Sequence, residues 1–257
     1  MAMNRWILDV GNTRAKWACF AKHAATSSEP TMLESVPAHH VTEAEVWKRQ
    51  LQPQDLVMVT GSGNLTPWVE SFPNAWVLQP GDATPLHSEV RKRETLGLDR
   101  VANAWAVLQG ACSEADPQEP WLIVDAGTCL TMDVVHAGIH LGGTISPGIR
   151  MRLEAMAQGT ARLPLEDPDE GRLAMRDPGV VGEETAEALL GGALGGVSAE
   201  ILGKWHALRQ EVPNLGVIVT GGDAPNLELR DIRPKFADAH LTLKGYHALF
   251  THAHPHL

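Results

Sequence analysis

An internal repeat constrains this chain more than any other feature. WILDVGNT at residues 6–13 is matched by WLIVDAGT at 121–128: an aromatic residue, an apolar run, then Asp, a small residue, Gly and Thr. A second pair follows in the same order. DLVMVTGSG (55–63) is matched by LGVIVTGGD (215–223), each an apolar β-branched run entering Thr-Gly. One such pair could arise by chance, but two in the same order indicate duplicated halves. The second half is stretched, since Asp125 and Val217 lie nearly twice as far apart as Asp9 and Val57. SEADPQEP (113–120) is a polar, proline-containing joint. It divides the chain into expected domains at 1–116 and 117–257, the second carrying the insertion.

The local pattern gives an α/β chain. Residues 5–10 and 15–20 read as strands joined by a tight turn, and 121–125 with 130–135 as the equivalent hairpin. The segment 216–220 reads as a buried strand. Helices are expected at 42–51, with Thr42 as cap and Glu45 three residues on, and at 99–109, with Asp99 as cap. Residues 148–158 and 182–210 are expected to be helical, and 166–179 a loop. ALLGGALGGVSAEI (188–201) spaces Gly191 with Gly195 and Gly192 with Gly196 one turn apart on one helix face. That face fits either close internal packing or a subunit or ligand contact. His252, His254 and His256 read as a frayed end.

Composition narrows the function classes. A net charge of −10 argues against a broad nucleic-acid surface. Phosphate would have to be held by local donors. Cys19, Cys112 and Cys129 are widely spaced with no C-x-x-C, which argues for a reducing compartment and against a disulfide framework. No signal-like segment and no bilayer-length apolar run stand out, so the chain is expected to be cytoplasmic and free of membrane. There is no G-x-x-x-x-G-K-[ST] and no G-x-S-x-G, and GSGNLT (61–66) lacks the third glycine of a dinucleotide fingerprint.

The chemistry therefore rests on the two Asp-x-Gly…Thr turns. A tight turn with Gly and a hydroxyl directs N–H and O–H groups into one concavity, which suits phosphate oxygens. An Asp at the strand end repels phosphate unless it holds a neutralising cation. Alone, either turn reads as a plain hairpin; as a pair in duplicated halves they read as two phosphate loops made for phosphoryl transfer.

These features resemble the acetate and sugar kinase/actin ATPase superfamily, with two ribonuclease H-like domains and a nucleotide cleft between them. Within it the chain resembles type III pantothenate kinases. The segments that carry the likeness are DVGNTRAKW (9–17), TLGLDRVANA (95–104), IVDAGTCLTMDVV (123–135), GGTISPGIRMRLEAMAQGTARLP (142–164), GVVGEETAEALLGGALGGV (179–197), VTGGDA (219–224) and LTLKGY (241–246). The resemblance implies ATP-dependent phosphorylation of pantothenate to 4′-phosphopantothenate, the first step of coenzyme A biosynthesis, by a homodimer using Mg²⁺ and K⁺ or NH₄⁺. It also implies residue roles. Asp9, Val10, Gly11, Asn12, Thr13 and Lys16 would bind ATP phosphates, with Asp9 meeting Mg²⁺ through water. Gly127 and Thr128 would approach the phosphates, and Gly221 and Gly222 the nucleoside side. Asp125 would help hold the monovalent cation. Asp99 would be the general base. Gly97, Leu98, Arg100 and Thr185 would contact pantothenate. Where many relatives carry a Tyr seven residues before Gly97, this chain has Val90. RKR (91–93), just upstream, reads either as a solvated loop or as a local attraction for anions. Two other readings remain beside the kinase of pantothenate: a non-catalytic relative acting as an accessory factor for transcription, and a kinase of another small hydroxy acid or sugar.

Overall fold

The structure, a computed structural model, describes residues 3–168 and 181–256. Its strands are β1 (Asn4–Val10), β2 (Arg14–Ala21), β3 (Met32–Pro37), β4 (Leu56–Thr60), β5 (Trp76–Val77), β6 (Trp121–Ala126), β7 (Cys129–His136), β8 (Ile139–Pro147), β9 (Gly216–Thr220) and β10 (Lys235–Ala237). Its helices are α1 (Ala44–Lys48), α2 (Thr66–Ser71), α3 (Leu98–Leu108), α4 (Ile149–Gly159), α5 (Thr185–Leu208) and α6 (Leu241–Ala253). The chain divides into two compact units. One comprises Met1–Gln118, Val135–Gly142 and His240–Leu257; the other comprises Glu119–Val134 and Gly143–Ala239.

The chain forms two five-stranded sheets, and the two have the same order. The first runs β3-β2-β1-β4-β5 and the second β8-β7-β6-β9-β10. In both, the first strand pairs in parallel with the strand that ends in Thr-Gly: Asp9 lies opposite Thr60, and Asp125 opposite Thr220. The sequence repeat is thus a repeat of structure, and its two Asp residues hold equivalent positions.

In the first unit, strand alternation sends Trp6, Leu8 and Val10 to one face and Arg5, Ile7 and Asp9 to the other. The first face builds an aromatic column. Trp6 stacks on Trp17 at 4.8 Å, Trp17 on Trp47 at 5.6 Å, and Trp47 on Trp68 at 5.4 Å. A buried indole needs an acceptor for its N–H, and each has one: Asp55, Gln50, Glu34 and the Ala38 carbonyl, respectively. On the opposite face, α3 and α6 pack closely. The Thr242 hydroxyl donates to Asn103 Oδ1 at 2.8 Å. A Cβ at Gly245 would stand 2.0 Å from the Ala102 carbonyl oxygen, so only glycine permits this crossing.

His247 of α6 stacks on Phe20 at 4.4 Å, and among the described residues neither ring nitrogen has a hydrogen-bond partner. Burial, aided by the charge of Arg5, pushes its imidazole down to about 4 from an ordinary 6.5. The unfolded chain therefore takes up this proton before the folded one does. The stability tied to neutral His247 is complete above pH 6.5 and is lost between 6.5 and 4. The slope in that window is about 1.4 kcal/mol per pH unit. Thermal melting followed across it should show a falling midpoint that His247→Leu flattens; an equal slope in the variant would refute this account.

The second unit's core gathers Leu122, Val124, Leu130 and Met132 of the sheet with Leu190, Leu194, Val197 and Ile201 of α5. Four of the sequence expectations need correction. Thr42 does not cap a helix: it lies inside a 3-10 turn, Val41–Glu43, and α1 begins only at Ala44. The helix at 99–109 starts one residue earlier, with Gly97 as its cap in place of Asp99. The histidine tail is not frayed throughout, because His252 packs edge-on to Trp105 and His254 edge-on to Trp76. The fourth is an omission: β8 (Ile139–Pro147) has no counterpart among those expectations. Its Gly142 and Gly143 look like breakers, yet a Cβ at Gly143 would sit 2.0 Å from the Met132 carbonyl oxygen, so the glycine serves close approach to β7. Of the expected loop at 166–179, residues 169–179 lie outside those described.

Candidate active site

The two turns of the repeat are built alike, each closed by its own glycine amide. In the first, the Gly11 amide donates to the Arg14 carbonyl at 2.8 Å; in the second, the Gly127 amide donates to the Cys129 carbonyl at 3.0 Å. The extra residue in the first loop is Asn12. Behind each turn stands the Thr-Gly end of the neighbouring strand. Gly63 N–H donates to the Val10 carbonyl at 2.8 Å, and Asp223 N–H to the Ala126 carbonyl at 2.9 Å. Gly61 (φ +129°) and Gly221 (φ +94°) occupy the left-handed region. A Cβ on them would come within 2.2 Å of Val10 O and 2.3 Å of Ala126 O. Sequence reading carried only the second pair, Gly221 and Gly222, into the site. The equivalent Thr-Gly at Thr60-Gly61 was the available signal for Gly61 and Gly63.

The first unit carries Asp9, Val10, Gly11, Asn12, Thr13 and Lys16 on one hairpin. Asp9 and Lys16 are direct cross-strand partners in the β1–β2 register, so they share a face of the sheet. Asn12 and Thr13 are exposed at the tip, while Asp9 is buried. Val10 is buried with its side chain in the tryptophan core, which leaves only its backbone for a ligand. The Gly11 and Gly127 amides each already donate within their own hairpin.

The same unit holds the start of α3. Gly97 is the cap residue, and Asp99 Oδ1 accepts from the Arg100 amide at 2.9 Å. A Cβ at Gly97 would lie 2.6 Å from that oxygen, so glycine here clears space for the carboxylate. Asp99 and Arg100 are half-buried. Leu98 is buried, and only its backbone can meet a substrate.

The second unit carries Asp125, Gly127, Thr128, Gly221, Gly222 and Thr185. Asp125 Oδ1 sits in a recess that Cβ atoms at Gly221 and Gly127 would enter, at 2.6 and 3.8 Å. Gly222 is exposed with open space about it, and Thr185 is exposed as the first residue of α5. Gly148 braces the second turn: its amide donates to Thr128 O at 3.2 Å, and a Cβ there would be 2.1 Å from Gly127 O. Pro147 and Gly148 are themselves held by side chains that sequence reading did not single out. Arg152 Nε donates to Pro147 O at 2.8 Å and pairs with Glu200, which also accepts from Ser146 Oγ at 2.7 Å. Burial works against charge on Glu200, but the bonds from Arg152 and Ser146 outweigh it and hold the carboxyl below its ordinary range.

Among the described residues no group of three or more His, Cys, Asp or Glu could hold a metal by itself. A cation met by a single carboxylate takes its other ligands from bound phosphate and water, the usual manner of Mg²⁺. Asp9 and Asp125 fit that requirement. No described helix is long and apolar enough to cross a membrane.

Two sheets of one order, each with an Asp next to last in its first strand and a glycine turn after it, define the actin-like ATPase fold of the sugar kinases. Solved structures agree on the fold. An Arthrobacter inorganic polyphosphate/ATP-glucomannokinase superposes with a TM-score of 0.51 at 14% identity, over 99% of this chain and 100% of that one. A Campylobacter jejuni protein assigned to the Baf family of transcriptional activators superposes at 0.61 with 19% identity, over 98% of this chain and 100% of that one. At such identities the likeness carries fold and no function.

A family model described as type III pantothenate kinase matches residues 6–207, and the chain belongs to that family. Curated relatives carry the same name. One from Flavobacterium psychrophilum is 33% identical over 250 residues, 95% of this chain and 97% of the relative. One from Bacteroides fragilis is 34% identical over 254 residues, 96% and 97% of the two chains. The chain is therefore a kinase, a phosphotransferase using ATP, and the family's reaction is phosphorylation of pantothenate on the way to coenzyme A. The reading as an accessory factor for transcription is not favoured.

Proposed function

We propose that the protein transfers the γ-phosphoryl group of ATP to the primary hydroxyl of pantothenate, with Asp99 as general base. The observation that carries this is the first turn of α3. There Asp99 is held by the Arg100 amide, in space that Gly97 leaves open, and the next residue along, Arg100, carries a group of the type suited to a carboxylate substrate. Asp99 accepts the hydroxyl proton as the hydroxyl oxygen attacks phosphorus, and ADP departs with the electrons of the broken bond. Arg100 and the backbone of Gly97 and Leu98 orient pantothenate, and Thr185 also contacts it. Asn12, Thr13, Thr128 and Lys16 bind phosphate oxygens, and Gly221 and Gly222 the nucleoside. Mg²⁺ on the ATP phosphates supplies neutralisation of the charge that develops at the transferring group. Asp9 would hold it through water, and Asp125 would hold K⁺ or NH₄⁺. The protein works as a cytoplasmic homodimer without nucleic acid or membrane. Support for a second copy is the exposed α5 face at Gly192 and Gly195, where a Cβ would meet nothing within 4 Å. The duplicated halves are residues 1–116 and 117–257, the second with the insertion, although the compact units assign Val135–Gly142 and His240–Leu257 to the first.

ADP release measured with and without pantothenate, in K⁺ and then in Na⁺, tests this. The expected result is pantothenate-dependent turnover in K⁺ that collapses in Na⁺. No such turnover in K⁺ would sink the proposal. A panel of other hydroxy acids and sugars, scored by kcat/KM, separates pantothenate from a different acceptor.

A further inference from the structure

The run-in to α3 is pinned by a buried side-chain pair that lies outside the residues assigned above. Ser88 Oγ and His140 Nδ1 are 2.8 Å apart, and both residues are buried, His140 completely. Their backbones form an isolated parallel bridge: the His140 amide donates to His87 O and the Glu89 amide to His140 O, each at 2.9 Å. Ser88 is also a hub. Its Oγ accepts from the Val90 amide at 3.2 Å, and its carbonyl accepts from Arg93 Nη2 at 2.6 Å. With Val90 donating to the hydroxyl oxygen, the hydroxyl proton is available for Nδ1. Residues 88–93 are thereby closed into a loop fastened to His140. A 3-10 turn, Arg93–Thr95, follows, and the Leu96 amide bonds back to Arg93 O at 3.0 Å before Gly97 caps α3.

Packing does not fix this run-in by itself. A cavity lined by Thr84, Ser88, Arg93, Leu96, Leu98 and Val101 lies along it. On a helix, Leu98 and Val101 share a face from which Asp99 and Arg100 point away. The cavity therefore lies behind the turn that bears those two residues, where tight packing would otherwise hold it. An imidazole at a fully buried strand position also costs desolvation that a valine would not, and the bond to Ser88 offsets that cost.

We infer that His140 is a positioning residue: through Ser88 and Arg93 it holds the 88–97 run-in and so sets the first turn of α3 against the acceptor. This rests on the proposed placement of the acceptor at Asp99 and Arg100. Neither Ser88 nor His140 touches a reacting atom; the pair acts on orientation.

Three variants test it. His140→Phe keeps a ring and loses the acceptor nitrogen. Ser88→Ala loses the hydroxyl. His140→Asn keeps an oxygen near the place of Nδ1. The first two should lower kcat/KM for pantothenate about tenfold, with KM for ATP unchanged. His140→Asn should recover most of the loss. The double variant should be no worse than Ser88→Ala. Amide exchange of Glu89, Val90 and Leu96 should quicken in the first two and recover in the third. The inference is overturned by an unaltered kcat/KM, by an equal loss toward ATP, by an Asn variant as poor as Phe, or by additive effects. If the wild type shows no turnover with pantothenate, the proposed function fails. Amide exchange then still decides the pin: quickened exchange upholds it and unchanged exchange rejects it.

Discussion

Asp99→Asn should lower kcat by about 10²–10⁴, the usual contribution of a positioned general base, while ATP still binds with wild-type affinity. The substitution is nearly isosteric, and Asn Oδ1 can still accept the Arg100 amide that Asp99 now accepts at 2.9 Å. The helix start is therefore kept. What is lost is the ability to take the hydroxyl proton as the oxygen attacks. Single-turnover phosphorylation, with nucleotide titration as the control, separates the two effects. A wild-type rate in the variant would reject the base assignment.

Gly245→Ala should destabilise the protein by about 3 kcal/mol, the upper end for overpacking, and lower the melting midpoint by about 6–12 °C. The added methyl would stand 2.0 Å from Ala102 O and 2.5 Å from its carbon, both backbone atoms that no rotamer change can move. α6 must lift off α3, which strains the Thr242–Asn103 bond and disturbs the helix that bears Asp99. Gly203→Ala is the matched control, since a Cβ there meets nothing within 4 Å and alanine favours helix. Equal midpoints for the two variants would refute the close-crossing account.

The duplicated plan was legible because hairpins and Thr-Gly strands leave short-range signals. Both hairpins, β4, β9 and the bodies of α3 and α5 stand where apolar periodicity puts them. Features that depend on the neighbouring chain were not legible. β8 hid behind Gly142 and Gly143; Gly142 holds φ +109°, and a Cβ at Gly143 would stand 2.0 Å from Met132 O on β7. The start of α3 was misplaced because Asp99 is a strong cap by type, yet its carboxylate bonds the next amide, not one further along the helix. At the site, residue types in the motifs were readable, but side-chain direction was not. Val10 and Leu98 turn inward, and the amides of Gly11 and Gly127 are spent on their own turns. The Ser88–His140 pair had no sequence signal at all, because 52 residues separate its members.

The return of α6 to the first unit makes completion of that unit wait on a helix that follows the second unit in the chain. Domains usually finish in the order of their synthesis. Here the residues of Met1–Gln118 emerge first, but their core stays open until His240 and the helix behind it arrive. All of Glu119–Ala239 leaves the ribosome before that point. The nascent first unit thus keeps its α3 face bare while the second unit is translated, until α6 arrives.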